Sequence, residues 1–370
     1  MPKFRFTEIA INSTEKKKPV EEDKFTYIGL EHLDSGTLTV SRWGSDIAPI
    51  GEKLVMKKGD VLFGKRRAYQ KKAGIAPFDG IFSAHGMVLR PREKVITKEY
   101  FPLFISSDYF LNEAIRISVG SLSPTVNWKD LKDLEFTIPS IEEQKRITPL
   151  IWAAIEAKNA YKEQIKCTDD LVKSQFIEMF GNEKEVVRLD QLCAHFGDGD
   201  WIESKDQSEE GIRLIQTGNV GNGEYKDKGD KARFVSEETF SRLGCTEVFP
   251  GDILISRLPD PIGRACIIPE MPKSITAVDC TIVRLKSELT PMFFVTFTKT
   301  PAYTSQIDSF TTGSTRKRIS RANLGSILVP VPSIAKQNEF VAFAEQSDKS
   351  KLLIEYTVRK IRRFQYVYGS

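Results

Sequence analysis

The sequence lacks the features that mark secreted, disulfide-stabilised or membrane-embedded proteins. Its 370 residues include five cysteines, none in a C-x-x-C pair, which argues against a zinc ribbon and a disulfide framework. No run approaches the ~18 apolar residues of a membrane-spanning helix. The opening Met1-Pro2-Lys3-Phe4-Arg5 lacks the apolar stretch of a signal peptide. These absences predict a soluble, reduced, cytoplasmic protein with no membrane contact.

An excess of one charge sign is also missing. The chain has 54 Lys and Arg against 50 Asp and Glu, a formal net charge of +4. Affinity for nucleic acid would therefore have to come from local clusters. The length is sufficient for two domains, each with its own core.

A nucleotide-binding loop is incomplete. Gly59 and Gly64-Lys65 have the spacing of the start of a phosphate-binding loop, but Arg66 stands where that loop needs Ser or Thr. The segment after Arg66 reads as turn or strand, whereas the phosphate-binding loop leads into a helix. We therefore reject a nucleotide site here.

Other catalytic arrangements are absent as well. Asp198 and Asp200 lie in a glycine-rich segment that is typical of a turn. The histidines are scattered and have no partners at metal-ligand spacing: His32, His85 and His195. We expect no catalytic residue, no metal site and no cofactor in this chain. An enzyme with an unrecognised active site stays an alternative.

What the sequence does contain is a repeat of itself about 190 residues apart. Gly59-Asp60-Val61-Leu62 returns as Gly251-Asp252-Ile253-Leu254, and Ile138-Pro139-Ser140-Ile141 returns as Val331-Pro332-Ser333-Ile334. Further pairs are Ile28 and Ile215, Gly120-Ser121 and Gly313-Ser314, Leu131 and Leu324, and Gln144 and Gln337. Such an offset is far longer than the 20–50 residues of a solenoid repeat. It predicts a duplicated domain that binds two similar targets.

Each copy has a globular part followed by a long helical part. Short apolar runs broken by Gly, Pro and Asp predict buried strands at 61–63, 81–82, 87–89, 253–255 and 281–283. Helices are expected near Lys98–Ile115 and Pro291–Ile307. The mixture predicts an α+β fold. The predicted segments are two globular domains, 1–139 and 182–332, and two long helices, 140–181 and 333–370.

The helical parts carry apolar stripes. Ser140-Ile141-Glu142-Glu143 has the pattern of a capping box at the start of the first helix. The stripe residues of the two helices are Ile147, Ile151, Tyr161, Ile165, Val172, Phe176, Ile354, Val358, Ile361 and Phe364. Their coiled-coil-like spacing favours two helices that pack antiparallel on each other. The alternative is that each helix packs only on its own domain.

Basic residues cluster beside repeated motifs in both halves. The candidate DNA-binding residues are Lys65, Arg66, Arg67, Tyr69, Lys71 and Lys72 in the first half, and Arg257, Arg264, Arg316, Lys317, Arg318 and Arg321 in the second. Lys and Arg on loops can neutralise phosphates, and arginine can read guanine in the major groove. The alternative is an ordinary solvated surface.

Taken in order, these motifs resemble the specificity subunits of type I restriction–modification systems. The resemblance is carried by the Gly-Asp-Val/Ile-Leu elements, by Gly313-Ser314-Thr315-Arg316-Lys317-Arg318-Ile319-Ser320, by Ile138–Ile147 and by Phe176-Ile177-Glu178-Met179-Phe180-Gly181. It covers essentially the whole chain. Gly120-Ser121-Leu122-Ser123-Pro124 departs from it, because it lacks the basic residues of its counterpart.

The resemblance implies a non-catalytic subunit with two target-recognition domains, which read a split, asymmetric site in double-stranded DNA. It also implies two antiparallel spacer helices and a pseudo-twofold arrangement. The implied partners are two methyltransferase subunits, which bind S-adenosylmethionine, and a motor–nuclease restriction subunit that uses ATP and Mg. A tandem protein-interaction adaptor without sequence-specific DNA binding is the competing interpretation.

Overall fold

The computed structural model describes residues 2–259, 261–311 and 317–350. The chain divides into two compact units, and the division falls between Tyr161 and Lys162, inside a long helix. The four-segment division expected from the sequence therefore stays a prediction, since the units are separated within that helix and not at its ends. No helix of the described residues is both long and apolar enough to span a membrane.

The first unit combines short strands and short helices. Its strands are β1 (Lys3–Arg5), β2 (Ala10–Ser13), β3 (Lys16–Lys17), β4 (Tyr27–Ile28), β5 (Lys53–Met56), β6 (Val61–Phe63), β7 (Ala73–Ile75), β8 (Gly80–Phe82), β9 (Met87–Pro91) and β10 (Glu135–Thr137). Its helices are α1 (Phe6–Ile9), α2 (Phe101–Ile105), α3 (Asp108–Arg116) and α4 (Trp128–Leu131), followed by the long helix α5 (Ile141–Phe180).

The second unit repeats this mixture. Its strands are β11 (Val186–Arg188), β12 (Cys193–Asp198), β13 (Ile212–Ile215), β14 (Arg233–Val235), β15 (Glu247–Val248), β16 (Ile253–Ser256), β17 (Ala265–Ile267), β18 (Ser274–Thr276), β19 (Cys280–Leu285) and β20 (Leu328–Pro330). Its helices are α6 (Glu237–Leu243), α7 (Pro291–Phe297), α8 (Pro301–Phe310), α9 (Arg321–Gly325) and α10 over residues 334–350, where the described part of the chain ends. The strands and helices expected from the sequence are confirmed within these elements.

The sheets of the two units match one another. In the first unit the strand orders are β1-β10, β2-β9-β6-β7 and β3-β5-β8-β4; in the second they are β11-β20, β12-β19-β16-β17 and β14-β13-β18-β15. The parallel pair β4 and β8 corresponds to the parallel pair β13 and β18. The copies differ at one edge strand: β3 extends the sheet beyond β5, whereas β14 extends it beyond β13. The duplicated α+β fold is confirmed.

Apolar runs form the cores because the central strands are buried along their length. All three residues of β6, Val61–Phe63, are at most 1% exposed, and so are Ile253–Ile255 of β16. In the first unit, the rings of Phe6, Phe110 and Phe136 pack with centroids 5.2 to 5.9 Å apart. These contacts lie between elements far apart in sequence, so burial of aromatic rings holds the layers together.

The repeated Gly-Asp motif is a structural turn. Gly59 has a φ of 90°, a backbone conformation that favours glycine, just before β6. Asp60 is 6% exposed; its Oδ2 accepts the Lys57 N–H at 2.8 Å, and Arg90 of β9 donates to both of its oxygens at 2.8 Å. The bidentate contact raises the pKa of Arg90. The carboxylate thus joins the turn to the neighbouring strand.

The second copy of the motif forms the same turn. Gly251 has a φ of 87°, and Asp252 accepts the Phe249 N–H at 2.8 Å. Arg284 of β19 donates to both Asp252 oxygens at 2.7 Å. The repeat therefore keeps a bidentate ion pair between a buried carboxylate and a partly exposed arginine.

A buried glutamine joins each globular part to its long helix. Gln144 is fully buried; its Oε1 accepts the Thr97 N–H at 2.7 Å, and its Nε2 donates to the carbonyl oxygens of Val95 and Pro139 at 2.9 Å. These partners lie just before α2 and just before α5. The side chain therefore fixes the first turn of α5 against the segment that precedes α2.

Gln337 makes the corresponding contacts in the second unit. Its Oε1 accepts the Thr290 N–H at 2.9 Å, and its Nε2 donates to Glu288 O at 2.9 Å and to Pro332 O at 2.8 Å. Each glutamine thus satisfies three main-chain groups of the segments beside it. We name Gln144 and Gln337 the glutamine latches.

The start of α5 confirms half of the capping box. Ser140 Oγ accepts the Glu143 N–H at 3.2 Å. The Glu143 carboxylate does not reach back as predicted but accepts Arg146 Nη2 at 3.1 Å. With Gln144 already holding the junction, the helix start does not depend on the reciprocal bond.

The stripe of α5 packs on both units. Ile147 and Ile151 belong to the first core, and Val172 and Phe176 to the second. Tyr161 and Ile165, between them, are half-buried. The Phe176 ring also lies 5.3 Å from that of Phe340 in α10, which confirms the predicted helix–helix packing over the described residues. The C-terminal stripe residues lie outside them: Ile354, Val358, Ile361 and Phe364.

Substitution of either latch should destabilise the protein. Gln144→Ala and Gln337→Ala each remove the side-chain partner of one main-chain N–H and two main-chain carbonyl groups. We expect each to lower the free energy of unfolding by about 3 kcal/mol in urea titrations. Gln164→Ala, at an exposed position of α5, is the matched control and should change it by less than about 0.5 kcal/mol. Equal effects of the three substitutions would contradict the latch assignment.

A repeated turn predicts a pH dependence. Gly29 N–H donates to His32 Nδ1 at 2.9 Å, and at the equivalent place Gln216 N–H donates to Asn219 Oδ1 at 3.0 Å. The pKa of His32 is lowered from 6.5, chiefly because burial disfavours the imidazolium; Glu31 opposes the shift and Arg42 adds to it. The turn therefore needs a neutral His32.

The folded protein should take up fewer protons at His32 than the unfolded chain once the pH falls below 6.5. The stability that His32 contributes is thus complete above that pH and is lost as the pH falls through the lowered pKa. His32→Asn should keep the bond, as Asn219 does, and remove the part of the stability loss below about pH 6.5 that His32 causes. Urea unfolding of both proteins across this range tests it; parallel profiles would refute it.

Candidate nucleic-acid interface

The first basic loop, residues 64–72, follows β6 and has a fixed backbone. Gly64 N–H donates to Lys72 O at 2.9 Å and closes the loop. Arg67 N–H donates to Pro124 O at 2.7 Å, and Val126 N–H donates to Lys65 O at 2.9 Å. The basic loop is therefore bound along its length to the segment that carries the repeated Gly120-Ser121 motif.

Two residues of this loop adopt a conformation that side chains rarely take. Arg67 has a φ of 55° and Lys71 a φ of 50°, on either side of the short 3-10 turn Ala68–Gln70. Left-handed backbone at non-glycine residues costs on the order of 1 kcal/mol each. Ala68, 1% exposed, anchors the turn between them in the core. The contacts around the loop therefore hold its backbone in one conformation.

Arg66, Arg67 and Tyr69 are the exposed members of the first loop. Tyr69 is 54% exposed. Arg66 Nε donates to Ser123 Oγ at 2.9 Å, and its Nη1 lies 3.4 Å from His85 Nε2. These contacts orient the Arg66 guanidinium without neutralising it, so its charge remains available to an anion.

The lysines of the first loop are partly buried or bonded within the protein. Lys71 Nζ forms an ion pair with Asp108 of α3. Lys65 is half-buried, and desolvation lowers its pKa, with a smaller contribution from Lys16. Lys72 Nζ donates to Leu30 O at 2.7 Å. The loop therefore offers fewer cations to a ligand than its sequence indicates.

The second basic loop, residues 256–264, has the same backbone frame. Ser256 N–H donates to Arg264 O at 2.9 Å, and Ile319 N–H donates to Arg257 O at 3.3 Å. These bonds are the counterparts of those from Gly64 and Val126. The two units thus hold one loop frame around different side chains.

Arg264, expected to contact DNA, is a structural residue. Its side chain is 9% exposed, and its guanidinium donates to carbonyl oxygens 2.7 to 2.9 Å away on Val220, Leu258, Pro261 and Thr217. A guanidinium with these bonds cannot reach a phosphate without giving up several of them. The expectation for Arg264 is therefore corrected.

Lys72 has the same role as Arg264 in the first unit. Its acceptor, Leu30 O, occupies the position equivalent to Thr217 O, because both begin the matching 3-10 turns Leu30–His32 and Thr217–Asn219. Lys72 therefore also stabilises a turn, and its contact with DNA stays a prediction. A basic residue at position 72 or 264 stabilises the neighbouring 3-10 turn.

Arg257, the counterpart of Lys65, is also buried. It is 5% exposed, its Nη2 donates to Val278 O at 2.7 Å, and its Nε lies 3.4 Å from Asp198 Oδ1. Burial of a charged group requires such pairing. The expectation that Arg257 contacts DNA is corrected for this reason.

Two of the remaining candidate cations of the second half, Arg318 and Arg321, lie near carboxylates. Lys317, Arg318 and Arg321 are exposed. Arg318 Nη2 lies 3.4 Å from Asp279 Oδ1, and Arg321 Nη1 lies 3.8 Å from Asp198 Oδ2. Arg316 lies outside the described residues. The second half therefore presents its arginines beside acids.

These acids have neutral or histidine counterparts in the first unit. The strand registers align Ser13 and Val88 with Gly197 and Ile282. Counting from these pairs, Thr14 is the position equivalent to Asp198, and His85 is the position equivalent to Asp279. The copies therefore share a frame but differ in the charge beside it.

Sequence reasoning missed two features of this surface. Asp198, interpreted as part of a simple turn, is an ion-pair partner of Arg257 and Arg321. Trp201, which follows β12, is 71% exposed and was not singled out. Neither could be found from residue type alone, because both depend on which side chains the fold buries.

Comparisons with known proteins agree with this architecture. A family model described as the type I restriction modification DNA specificity domain matches residues 6–166 and 181–361. The EcoDI specificity subunit of a type I restriction enzyme from Escherichia coli is 24% identical over 165 residues, which are 44% of this chain and 36% of that protein.

Two solved structures share the fold. The type I restriction–modification S subunit from M. genitalium has a TM-score of 0.55 at 13% identity and aligns over 100% of this chain and 94% of its own. A chain from a study of complex assembly and conformational transition of the type I R-M system has a TM-score of 0.55 at 20% identity, over 100% and 96%. With both repeats matched by the family model, the chain belongs to the family of type I restriction–modification DNA specificity domains.

Proposed function

We propose that this chain is a specificity subunit that reads a bipartite, asymmetric site in double-stranded DNA and directs methylation and restriction to it. The observation that carries the proposal is one backbone frame, present twice, with different side chains in each copy. Shared scaffolding suits a common way of approaching the duplex. Different side chains suit two different half-sites.

In this proposal the exposed cations contact the DNA. In the first half the contacts would be made by Arg66 and Arg67, with Tyr69 beside them. In the second half they would be made by Arg316, Lys317, Arg318 and Arg321. Most would bind phosphates, which fix position, and the oriented arginines would read bases. Arg66 suits base reading best, because Ser123 and His85 orient its guanidinium.

The long helix suits a spacer between two half-sites. Its 40 residues extend for roughly 60 Å at ~1.5 Å per residue, which exceeds one turn of B-DNA at ~34 Å. A helix does not change length under thermal motion as a loop does. We therefore propose that α5 sets the number of base pairs between the half-sites.

We further propose that catalysis resides in partner subunits. Two methyltransferase subunits would supply S-adenosylmethionine chemistry, and a motor–nuclease subunit would use ATP and Mg. The exposed apolar residues Leu150, Leu171 and Ile177 on α5 offer contact area for such partners. An adaptor without DNA specificity would use the same helix but would leave the oriented arginines without a role.

Removal of the first-loop arginines should weaken DNA binding. Arg66→Ala with Arg67→Ala should lower affinity for duplex DNA, and the slope of log affinity against log salt should fall by about one for each phosphate that is no longer neutralised. Binding should be measured for the chain with its methyltransferase partner. Lys57→Ala with Lys58→Ala, which removes two exposed charges from the other end of β6, is the matched control and should change both quantities less.

Site selection from random DNA tests the bipartite proposal with the same proteins. The unmodified chain should select two different half-sites at fixed spacing. The Arg66/Arg67 variant should relax one half-site and retain the other. Selection of a single continuous site, or no selection at all, would contradict the proposal and favour the adaptor.

Removal of an acid beside a candidate DNA-binding arginine should strengthen DNA binding. Asp279→Asn removes a carboxylate 3.4 Å from Arg318 and should raise affinity for non-specific DNA about threefold to tenfold at low salt, an effect that screening removes at high salt. Asp230→Asn, an exposed acid in the same unit, is the control for net charge. Equal gains from both substitutions would show that Asp279 acts only through net charge.

A further inference from the structure

In each unit, one of two facing backbone positions carries an arginine. In the first unit Arg66 and Thr125 face each other across an antiparallel bridge. A bond from Val126 N–H to Lys65 O, 2.9 Å long, closes this bridge on one side. The Cβ atoms of residues that face each other in this way lie about 5 Å apart. Arg66 and Thr125 are therefore two neighbouring points from which a side chain can enter the same space.

The second unit has its arginine on the other member of the pair. The bond that corresponds to the first unit's closing bond runs from the residue after Arg318 to the residue before Leu258 and is 3.3 Å long. Leu258 is therefore the position equivalent to Arg66, and Arg318 is the position equivalent to Thr125. We name positions 66 and 125, and positions 258 and 318, the bridge pairs.

The two guanidinium groups nevertheless lie beside the same position of the fold. Arg66 Nη1 lies 3.4 Å from His85 Nε2, and Arg318 Nη2 lies 3.4 Å from Asp279 Oδ1. His85 and Asp279 are equivalent positions, as the strand registers of β6 with β9 and of β16 with β19 show. The arginine thus starts from opposite members of the bridge pair and ends beside the same neighbour.

Both arginines are accessible as well as oriented. Arg66 and Arg318 are exposed, although each contacts a polar side chain of its own unit. A guanidinium has several N–H donors in a rigid fork, so one such contact leaves donors for a ligand. In the major groove guanine presents the acceptors O6 and N7 side by side, whereas adenine presents a donor beside N7. A fork that is held at one edge therefore matches guanine best.

We propose that each bridge pair supplies one guanine-reading arginine, Arg66 to the first half-site and Arg318 to the second. The residue at position 85 or 279 is a positioning residue that holds the guanidinium. This inference rests on the proposed function, because it needs these loops to approach DNA, and it adds the base that each arginine reads. It also makes the arginine transferable, since either member of a bridge pair can direct a guanidinium to the same place.

Transfer of the arginine across the first bridge pair tests the inference. The unmodified chain is compared with Arg66→Leu and with Arg66→Leu plus Thr125→Arg, which copies the second unit, each in complex with the methyltransferase partner. Arg66→Leu plus Gln70→Arg is the matched control, because it returns the charge to the same loop at another position. Each complex selects sites from random duplex DNA. Affinity is then measured with each guanine of the selected site replaced in turn by 7-deazaguanine, which lacks the N7 acceptor.

Arg66→Leu should lower the preference for one guanine of one half-site about tenfold and leave the other half-site unchanged. Addition of Thr125→Arg should restore that preference, and 7-deazaguanine at the same position should weaken binding again. The Gln70→Arg control should restore the salt dependence of binding but not the guanine preference, because a charge at another position can neutralise a phosphate without reaching the base.

The outcomes separate this inference from the proposed function. An unmodified complex that selects no half-site contradicts the proposed function itself. Normal selection with no guanine lost in Arg66→Leu, or equal restoration by Thr125→Arg and by the control, overturns the guanine-reading arginine alone. The reciprocal transfer, Arg318→Thr plus Leu258→Arg, decides the question even if Thr125→Arg does not fold. It should keep a guanine of the second half-site that Arg318→Thr alone loses, and loss in both variants overturns the inference.

Discussion

The architecture depends on a buried carboxamide at each junction between a globular part and its helix. Gln144 and Gln337 each satisfy three main-chain groups from two separate segments. A hydrogen-bonding group of this kind is directional, so it fixes where the long helix begins and how it leaves the core. Apolar packing at Ile147 and Phe340 adds free energy but little direction. The position of the helix relative to its own unit therefore depends on the latch.

A second constraint is the loop frame that follows β6 and β16. Its closing hydrogen bonds recur from Gly64 and from Ser256, and a long cation stabilises the adjacent 3-10 turn, Lys72 in one copy and Arg264 in the other. Main-chain bonds do not depend on side-chain identity, so the frame persists while the exposed residues diverge. That separation allows one scaffold to present two different sets of exposed side chains.

The two surfaces differ most in charge. Arg66 is oriented by a hydroxyl and an imidazole, whereas Arg318 and Arg321 lie beside carboxylates. A neighbour that is not an acid orients a guanidinium without compensating its charge, while an acid orients it and weakens its attraction for phosphate. The charge of Arg66 is therefore less compensated by neighbouring acids than the charges of Arg318 and Arg321.

The sequence by itself determined the duplication, the α+β class, the buried strands and the long helix, because periodic burial and a repeated register leave local patterns. It also located the basic clusters. It could not separate Arg66, which is exposed, from Arg257 and Arg264, which are buried and paired. That distinction depends on carbonyl groups and carboxylates brought together from distant segments, such as Thr217 and Asp198. Only the tertiary structure decides which charged side chains are buried and paired within the protein, since desolvation and pairing depend on the neighbours that folding supplies.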